Sequence, residues 1–293
     1  MNLYRYLSIL LIFFFFTHGY VGKAQDPYYS QYYNTPILYN PGMVGLVDGM
    51  KVRLMYRNQW PLYSDDLKSY NFSMDVAERY MPGGGGLGII FNTNKEGEGF
   101  IKKNTVGGLG SVRVRMSRNL ISQFGFMVAY VQKEIDRDDF IWSDQLDNRH
   151  GLLHPHSSFP GFSNQYAYYP HASLGGVINY ETQFRSLTAG FAVHHIFKPN
   201  ESFYNLDTRV PRKYVVHADM VIFQQSNAEK GYKFNPGILY ERQAGFNTFT
   251  LGMNVAKSVL YGGMWYRNKQ SQIYDYQSVT LLAGINIPMV NKY

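Results

Sequence analysis

Residues 69–76 read Ser-Tyr-Asn-Phe-Ser-Met-Asp-Val, and residues 248–255 read Thr-Phe-Thr-Leu-Gly-Met-Asn-Val. In both, every second side chain is apolar and its neighbours are small or polar. A strand puts successive side chains on opposite faces, so each segment has one apolar and one polar face. The same parity runs outward along the chain. Val52, Leu54 and Tyr56 alternate with Lys51, Arg53, Met55 and Arg57, and Leu87, Ile89 and Phe91 with Gly88, Ile90 and Asn92. Val112, Val114 and Met116 oppose Arg113 and Arg115. Phe124, Phe126, Val128 and Tyr130 follow the rule, with Met127 and Val131 as exceptions. The second half repeats the pattern at Leu174–Tyr180, Leu187–Val193, Tyr214–Ile222, Phe249–Val255 and Val279–Ile287.

Twelve strands are expected, at about 51–58, 69–78, 86–94, 104–116, 120–134, 171–181, 185–195, 213–225, 231–242, 247–256, 259–269 and 276–287. Turn signals such as Arg118-Asn119, Gln183-Phe184-Arg185 and Ala244-Gly245 separate them. Residues 135–170 and 196–212 do not alternate and are read as long surface loops. Gly83–Gly86 after Pro82 reads as a flexible turn, since no Lys-Ser/Thr follows to make a phosphate loop.

Periodicity alone also fits a soluble sandwich. The absence of helical pattern, the regular strand spacing and the aromatic content favour another solution. Tyr, Phe and Trp number 26, 20 and 3 among 293 residues, only 17% of the chain is charged, and mean hydropathy is slightly negative at −0.29. An antiparallel transmembrane β-barrel turns apolar residues to lipid and polar ones to its lumen, with aromatic girdles at both interfaces. The expected fold is therefore all-β: a barrel of about 12–14 strands preceded by an extended N-terminal segment.

Leu7–Phe16 (LSILLIFFFF) follows Arg5, and Gly22-Lys23-Ala24 places small residues before Gln25. Such a run suits a signal peptide and is too short to span a bilayer. Residues 1–24 are accordingly set apart as an export signal, 25–50 as the N-terminal segment and 51–293 as the barrel. Formal charge falls from +7 to +5 once Arg5 and Lys23 go with the leader. Without a Lys/Arg block, nucleic acid is not an expected partner. Zero Cys excludes disulfides, thiolate metal sites and thiol catalysis.

Little else carries chemistry. His150, His154 and His156, with Asp144 and Asp147, have spacing that could suit a metal, but no regular structure fixes them. His194 and His195, adjacent on a strand, should face opposite sides. Arg113 and Arg115 should line the interior. Ser and His candidates for a hydrolase occur all round a polar-faced barrel and single out nothing. No catalytic residue, cofactor or metal is expected.

The segment that opens the mature chain is the most specific. It reads Gln25-Asp26-Pro27-Tyr28-Tyr29-Ser30-Gln31-Tyr32-Tyr33-Asn34, then Pro36, Leu38-Tyr39-Asn40-Pro41-Gly42 and Gly45. Tyr56–Pro61, Ala189–His195, Pro211–Tyr214 and Gly262–Arg267 follow in order. Together they resemble the PorP/SprF family of Bacteroidetes outer-membrane proteins, associated with type IX secretion and gliding motility. The family usually continues past a strand like Gly284–Ile287 into another hairpin, for about fourteen strands, whereas this chain ends at Tyr293. The resemblance implies an outer-membrane component that helps export or attach large surface adhesins. It also implies partners among type IX secretion components and a secreted adhesin, besides outer-membrane lipid. A passive porin is the alternative.

Pro and Gly disfavour a regular strand over 25–49, while its tyrosines offer large contact area at small entropic cost. The segment either packs into the barrel or meets a partner. Asp26, Pro27, Tyr28, Tyr29, Gln31, Tyr32, Asn34, Asn40 and Pro41 are the candidate partner-binding residues, with Arg57 and Trp60 at the end of the first strand. For Arg57 and Trp60 the structural reading is an interior arginine and an interface-belt tryptophan.

Overall fold

The computed structural model describes residues 29, 31–62, 67–77, 84–96, 101–135, 141, 143–147, 151–152, 165–203, 207–223, 231–271 and 275–287. The leader, Asp26, Pro27, Tyr28, Gly83, His150, His154 and His156 lie outside them. All twelve expected strands are present: β1 (Met50–Gln59), β2 (Leu67–Ala77), β3 (Gly86–Glu96), β4 (Ile101–Arg115), β5 (Leu120–Ile135), β8 (Tyr166–Glu181), β9 (Arg185–His194), β10 (Lys213–Phe223), β11 (Tyr232–Gln243), β12 (Phe246–Lys257), β13 (Leu260–Gln270) and β14 (Asp275–Ile285). They form one antiparallel sheet in chain order, each strand beside its predecessor. Inside the stretch read as a loop, β6 (Leu146–Asp147) and β7 (Gly151–Leu152) pair as a minute separate hairpin. β8 starts five residues earlier than the alternation indicated, because Tyr166–Pro170 continue the ladder opposite Tyr130–Glu134. Ala244 and Gly245, at φ 55° and 85°, make the tight turn between β11 and β12, both residues being left-handed as a two-residue type I′ hairpin needs.

The apolar parity faces solvent. Leu54 is 79% exposed and Leu281 71%, while Ser73 and Gln123 on the other face are wholly buried. A soluble sandwich would bury the apolar faces against each other; this sheet does the reverse.

What covers the polar face is the chain's own start. The hydroxyl of Tyr29 donates to Asn92 Oδ1 on β3 (3.1 Å), and its carbonyl accepts from Arg267 Nη2 on β13 (3.3 Å). β3 and β13 stand eight places apart in the sheet. At about 4.8 Å per strand a flat sheet would hold them roughly 38 Å apart. One tyrosine bridges them, so the sheet is strongly curled and the segment lies in its concave face.

That segment is not extended throughout. It forms three short helical turns, Tyr32–Asn34, Pro36–Tyr39 and Pro41–Met43. Pro36 and Pro41 each open a turn, where a missing N–H costs nothing and the fixed φ suits a helix start.

Glycines on the concave face make room for it. A Cβ at Gly175 would stand 2.1 Å from Asn40 Oδ1, and one at Gly125 2.2 Å from the Pro41 carbonyl oxygen. Gly86, expected as the last residue of the glycine turn and the first of the third strand, opens β3 against Gly45, where a Cβ would fall 2.6 Å from the Gly45 Cα. The Gly175→Ala chain should therefore hold its N-terminal segment less firmly by about 1–3 kcal/mol, the usual cost of overpacking. Limited proteolysis should show faster cleavage within residues 31–46 while the strands stay protected.

Candidate functional site

Both long connections, 136–165 and 195–212, leave the same end of the sheet, because β5 and β9 run in the same direction. The segment starts at that end, with Tyr29 beside the last turns of β3 and β13. It finishes at the opposite end, where Gly45 meets Asp75 on β2 and β1 begins.

Asn40, fully buried, is its main anchor. Its Oδ1 accepts from the Gly42 backbone N–H at 2.9 Å, so its Nδ2 must face the other way. There it donates to the Gly176 carbonyl on β8 at 3.1 Å and to His217 Nε2 on β10 at 3.0 Å. A nitrogen that accepts carries no proton, so the neutral His217 is protonated on Nδ1, which donates to Asp219 Oδ2 at 3.1 Å. The other oxygen of Asp219 accepts from the Tyr32 hydroxyl at 2.7 Å, returning to the segment.

A second set of polar groups holds the turn after Pro41. Gln123 Nε2 on β5 donates to the Gly42 carbonyl (2.9 Å) and the Val44 carbonyl (2.5 Å). Ser111 Oγ donates to the Val44 carbonyl (2.8 Å), and Arg113 donates to the carbonyls of Gly45 and Leu46. Asp75 accepts from the Gly45 N–H (3.0 Å) and pairs with Arg53. Buried main chain without sheet partners is satisfied in this way by inward side chains.

Apolar contact completes the seat. Ile37 and Val44, both fully buried, pack with Ile90, Leu109 and Met127. The inward Met127 that broke the outer parity is thus a docking surface for the segment. Tyr32 and Tyr39 pack with Ala192, Val215, Leu239 and Trp265, and Tyr33 stacks on Trp265 at 5.0 Å. The Tyr39 hydroxyl accepts from the Tyr29 N–H at 3.0 Å and donates to its carbonyl at 3.2 Å. Burial pushes the Tyr39 hydroxyl up to about 12 and raises those of Tyr29, Tyr32 and Tyr33 as well.

The histidines correct one expectation. His194 and His195 do not face opposite sides. β9 ends at His194, and His195 has φ 55°, which turns the chain so that both rings are buried beside His171. His195 meets His171 edge-on at 4.3 Å. His194 Nε2 donates to the Tyr39 carbonyl at 2.9 Å, which leaves Nδ1 to accept from Ser173 Oγ at 2.9 Å. Among the described residues no group of His, Asp or Glu side chains is arranged to hold a metal.

Of the candidate residues, Tyr29, Tyr32, Asn40 and Pro41 are buried inside the sheet. Gln31 and Asn34 are half-buried and hydrogen-bonded to each other at 2.6 Å. Arg57 is half-buried on β1, and its charge reaches the Tyr29 hydroxyl. Trp60, 54% exposed at φ 59°, follows β1 and stands apart from the segment. Arg113 faces inward as expected; Arg115, the last residue of β4, is exposed. Sequence reasoning missed Asp75, Ser111, Gln123, His217 and Asp219. Their parity marks them as inward-facing, and nothing local ties them to a segment up to 187 residues away.

No curated protein matches the chain. The sequence model of a family described as "Type IX secretion system membrane protein PorP/SprF" matches residues 21–290. The chain belongs to that family, one of secretion-system membrane proteins rather than of enzymes, and is a membrane component of type IX secretion.

The Asn40→Ala change removes four hydrogen bonds, a long one to the Phe191 carbonyl among them, and leaves buried groups without partners, each costing about 1–3 kcal/mol. Hydrogen exchange at residues 40–46 should accelerate by about 100-fold or more, with the strand amides unchanged. The tyrosines set an alkaline limit. Below about pH 10 they are protonated in folded and unfolded chains alike. Above it the unfolded chain ionises first, so the stability they contribute is lost as pH rises from about 10 through about 12. Ultraviolet titration should show tyrosinate forming in a late step that coincides with release of the segment.

Proposed function

We propose that this PorP/SprF family member is a plugged outer-membrane β-barrel that docks secretion partners and helps export or attach large surface adhesins, rather than a conduit. The observation that carries the reading is the buried segment Tyr29–Leu46 seated along the concave face. A passive porin needs that space open. Closure into a barrel is supported by the outward apolar faces, by strands of 10 to 16 residues against the 9–11 needed to cross a bilayer, and by one cavity lined both by Lys51 of β1 and by Asn286 just past β14. A closed barrel leaves no unpaired edge in lipid. No described helix is long and apolar enough to cross a membrane.

The leader at 1–24 delivers the chain across the inner membrane. The end carrying both long connections faces the cell surface, as longer loops of such barrels do. The buried Tyr29, Tyr32, Asn40 and Pro41 hold the segment, while Asp26, Pro27, Tyr28, Gln31, Asn34, Arg57 and Trp60 offer groups to a partner. Energy for export comes from another component, since the sequence carries no nucleotide-binding motif.

Mild-detergent capture of the tagged protein from its native membrane should recover type IX components or one large surface adhesin; a barrel that comes out alone under several mild conditions defeats the docking role. In planar bilayers the intact chain should conduct far less than an open porin, and deletion of 29–46 should raise conductance. Large steady conductance from the intact chain would favour the porin. Val128→Lys, on the outward face of β5, should lower stability in lipid by about 2–4 kcal/mol, whereas the change should be nearly neutral for a face in water.

A further inference from the structure

At the end of the sheet where β1 begins and β14 finishes lies a cavity of about 440 Å³, within the roughly 300–1,000 Å³ of ligand pockets. Its inner wall is the His217–Asp219–Tyr32 chain that anchors Asn40, and its outer part opens beyond that chain; neither its position nor its lining depends on the secretion role. Lys51 from the edge strand β1 and Lys233 from β11, whose ammonium lies over the Phe223 ring at 5.6 Å, both line it. Arg53, also on its wall, is taken by Asp75, and Asp219 by Tyr32 and His217. Among the described residues no carboxylate lies within ion-pair distance of Lys51 or Lys233. Lys51 feels the like charges of Arg53 and Lys233 as well as Asp75 and Asp48. Two ammonium groups held on one cavity repel unless an anion joins them, and a low-dielectric wall strengthens that attraction.

The rest of the lining decides which anion. Asn235, Asn254 and Asn286 present amides. The Oδ1 of Asn254 accepts from the Trp265 indole at 2.8 Å, so its NH₂ remains as a donor. The aromatic rings are occupied. Trp265 is 2% exposed with Tyr33 stacked on it, and the Tyr261 ring lies over Gly284, where a Cβ would stand 2.3 Å from its Cζ. Stacking of a saccharide on Trp265 is therefore blocked. Side-chain amides, by contrast, match the donors and acceptors of a peptide backbone. We infer that this cavity binds a short acidic polypeptide segment, its carboxylates on Lys51 and Lys233 and its main chain on the asparagine amides. On the orientation proposed above, the mouth faces the periplasm.

The test uses the full chain refolded in detergent micelles and fluorescein-labelled tetra-aspartate, followed by anisotropy. Saturable binding should weaken as salt rises. The Lys51→Gln, Lys233→Gln double variant should weaken it at least tenfold and flatten the salt dependence. Lys269→Gln, at the other end of β13, should stay within twofold. Tetra-asparagine should not compete. Asn286→Leu supplies a second variant should the double one lose its heat-dependent gel shift. Absence of saturable binding to millimolar probe at low salt, or equal losses in all variants, overturns the proposal. So does tetragalacturonate competing as well as unlabelled tetra-aspartate, which would make the site one for acidic saccharides.

Discussion

The side-chain amide of Asn40 joins three parts of the chain that no sheet ladder connects: the Gly42 N–H two residues on, the Gly176 carbonyl of β8 and the His217 ring of β10. With it in place, the Pro41 turn sits over Gly125 and Gly175 and presents the carbonyls of Gly42 and Val44 to Gln123. The constraint beneath this is general. A sheet with its apolar side outward has only polar groups left to line its interior, and buried polar groups need partners. Here the partners are main-chain groups of the chain's first turns. The interior is therefore a designed polar seat with two apolar patches, and the same residues that make it polar make it specific.

The strands were legible because outward apolar parity is a strong period-two signal, and each of the twelve lies within a few residues of its sequence reading. Met127, which breaks parity, looked like noise. It is an inward apolar residue with a partner, Val44, far upstream. Its meaning depends on a contact across 83 residues, which periodicity does not carry. The inward glycines were equally visible and equally mute, since Gly125 and Gly175 acquire a reason only once Asn40 and Pro41 lie against them. The prolines and tyrosines of 25–49 marked the segment as irregular and contact-rich, yet the helical turns at Pro36 and Pro41 were not foreseen. His195 escaped because strand parity was carried one residue too far; the positive φ sits where the strand stops.

Membership of the family and the seated segment together shift attention from the interior as a passage to its two ends. At one end the segment starts beside the long connections and the buried His171, His194 and His195. At the other it hands over to β1, next to Lys51, Lys233 and the row of asparagines. Both ends carry lysines and asparagines, and the end beside the long connections adds three buried histidines.

The bridge made by Tyr29 has a consequence for assembly. Its two partners, Asn92 and Arg267, are 175 residues apart in the chain, and Tyr29 precedes both. Tyr29 therefore has no complete seat until β13 has joined the sheet. Burial of Tyr29 reports that β3 and β13, eight places apart in the sheet, have come together. The N-terminus acts as a mandrel whose fit certifies the finished wall: strands wound in the wrong order would leave Asn92 and Arg267 far apart and the tyrosine exposed.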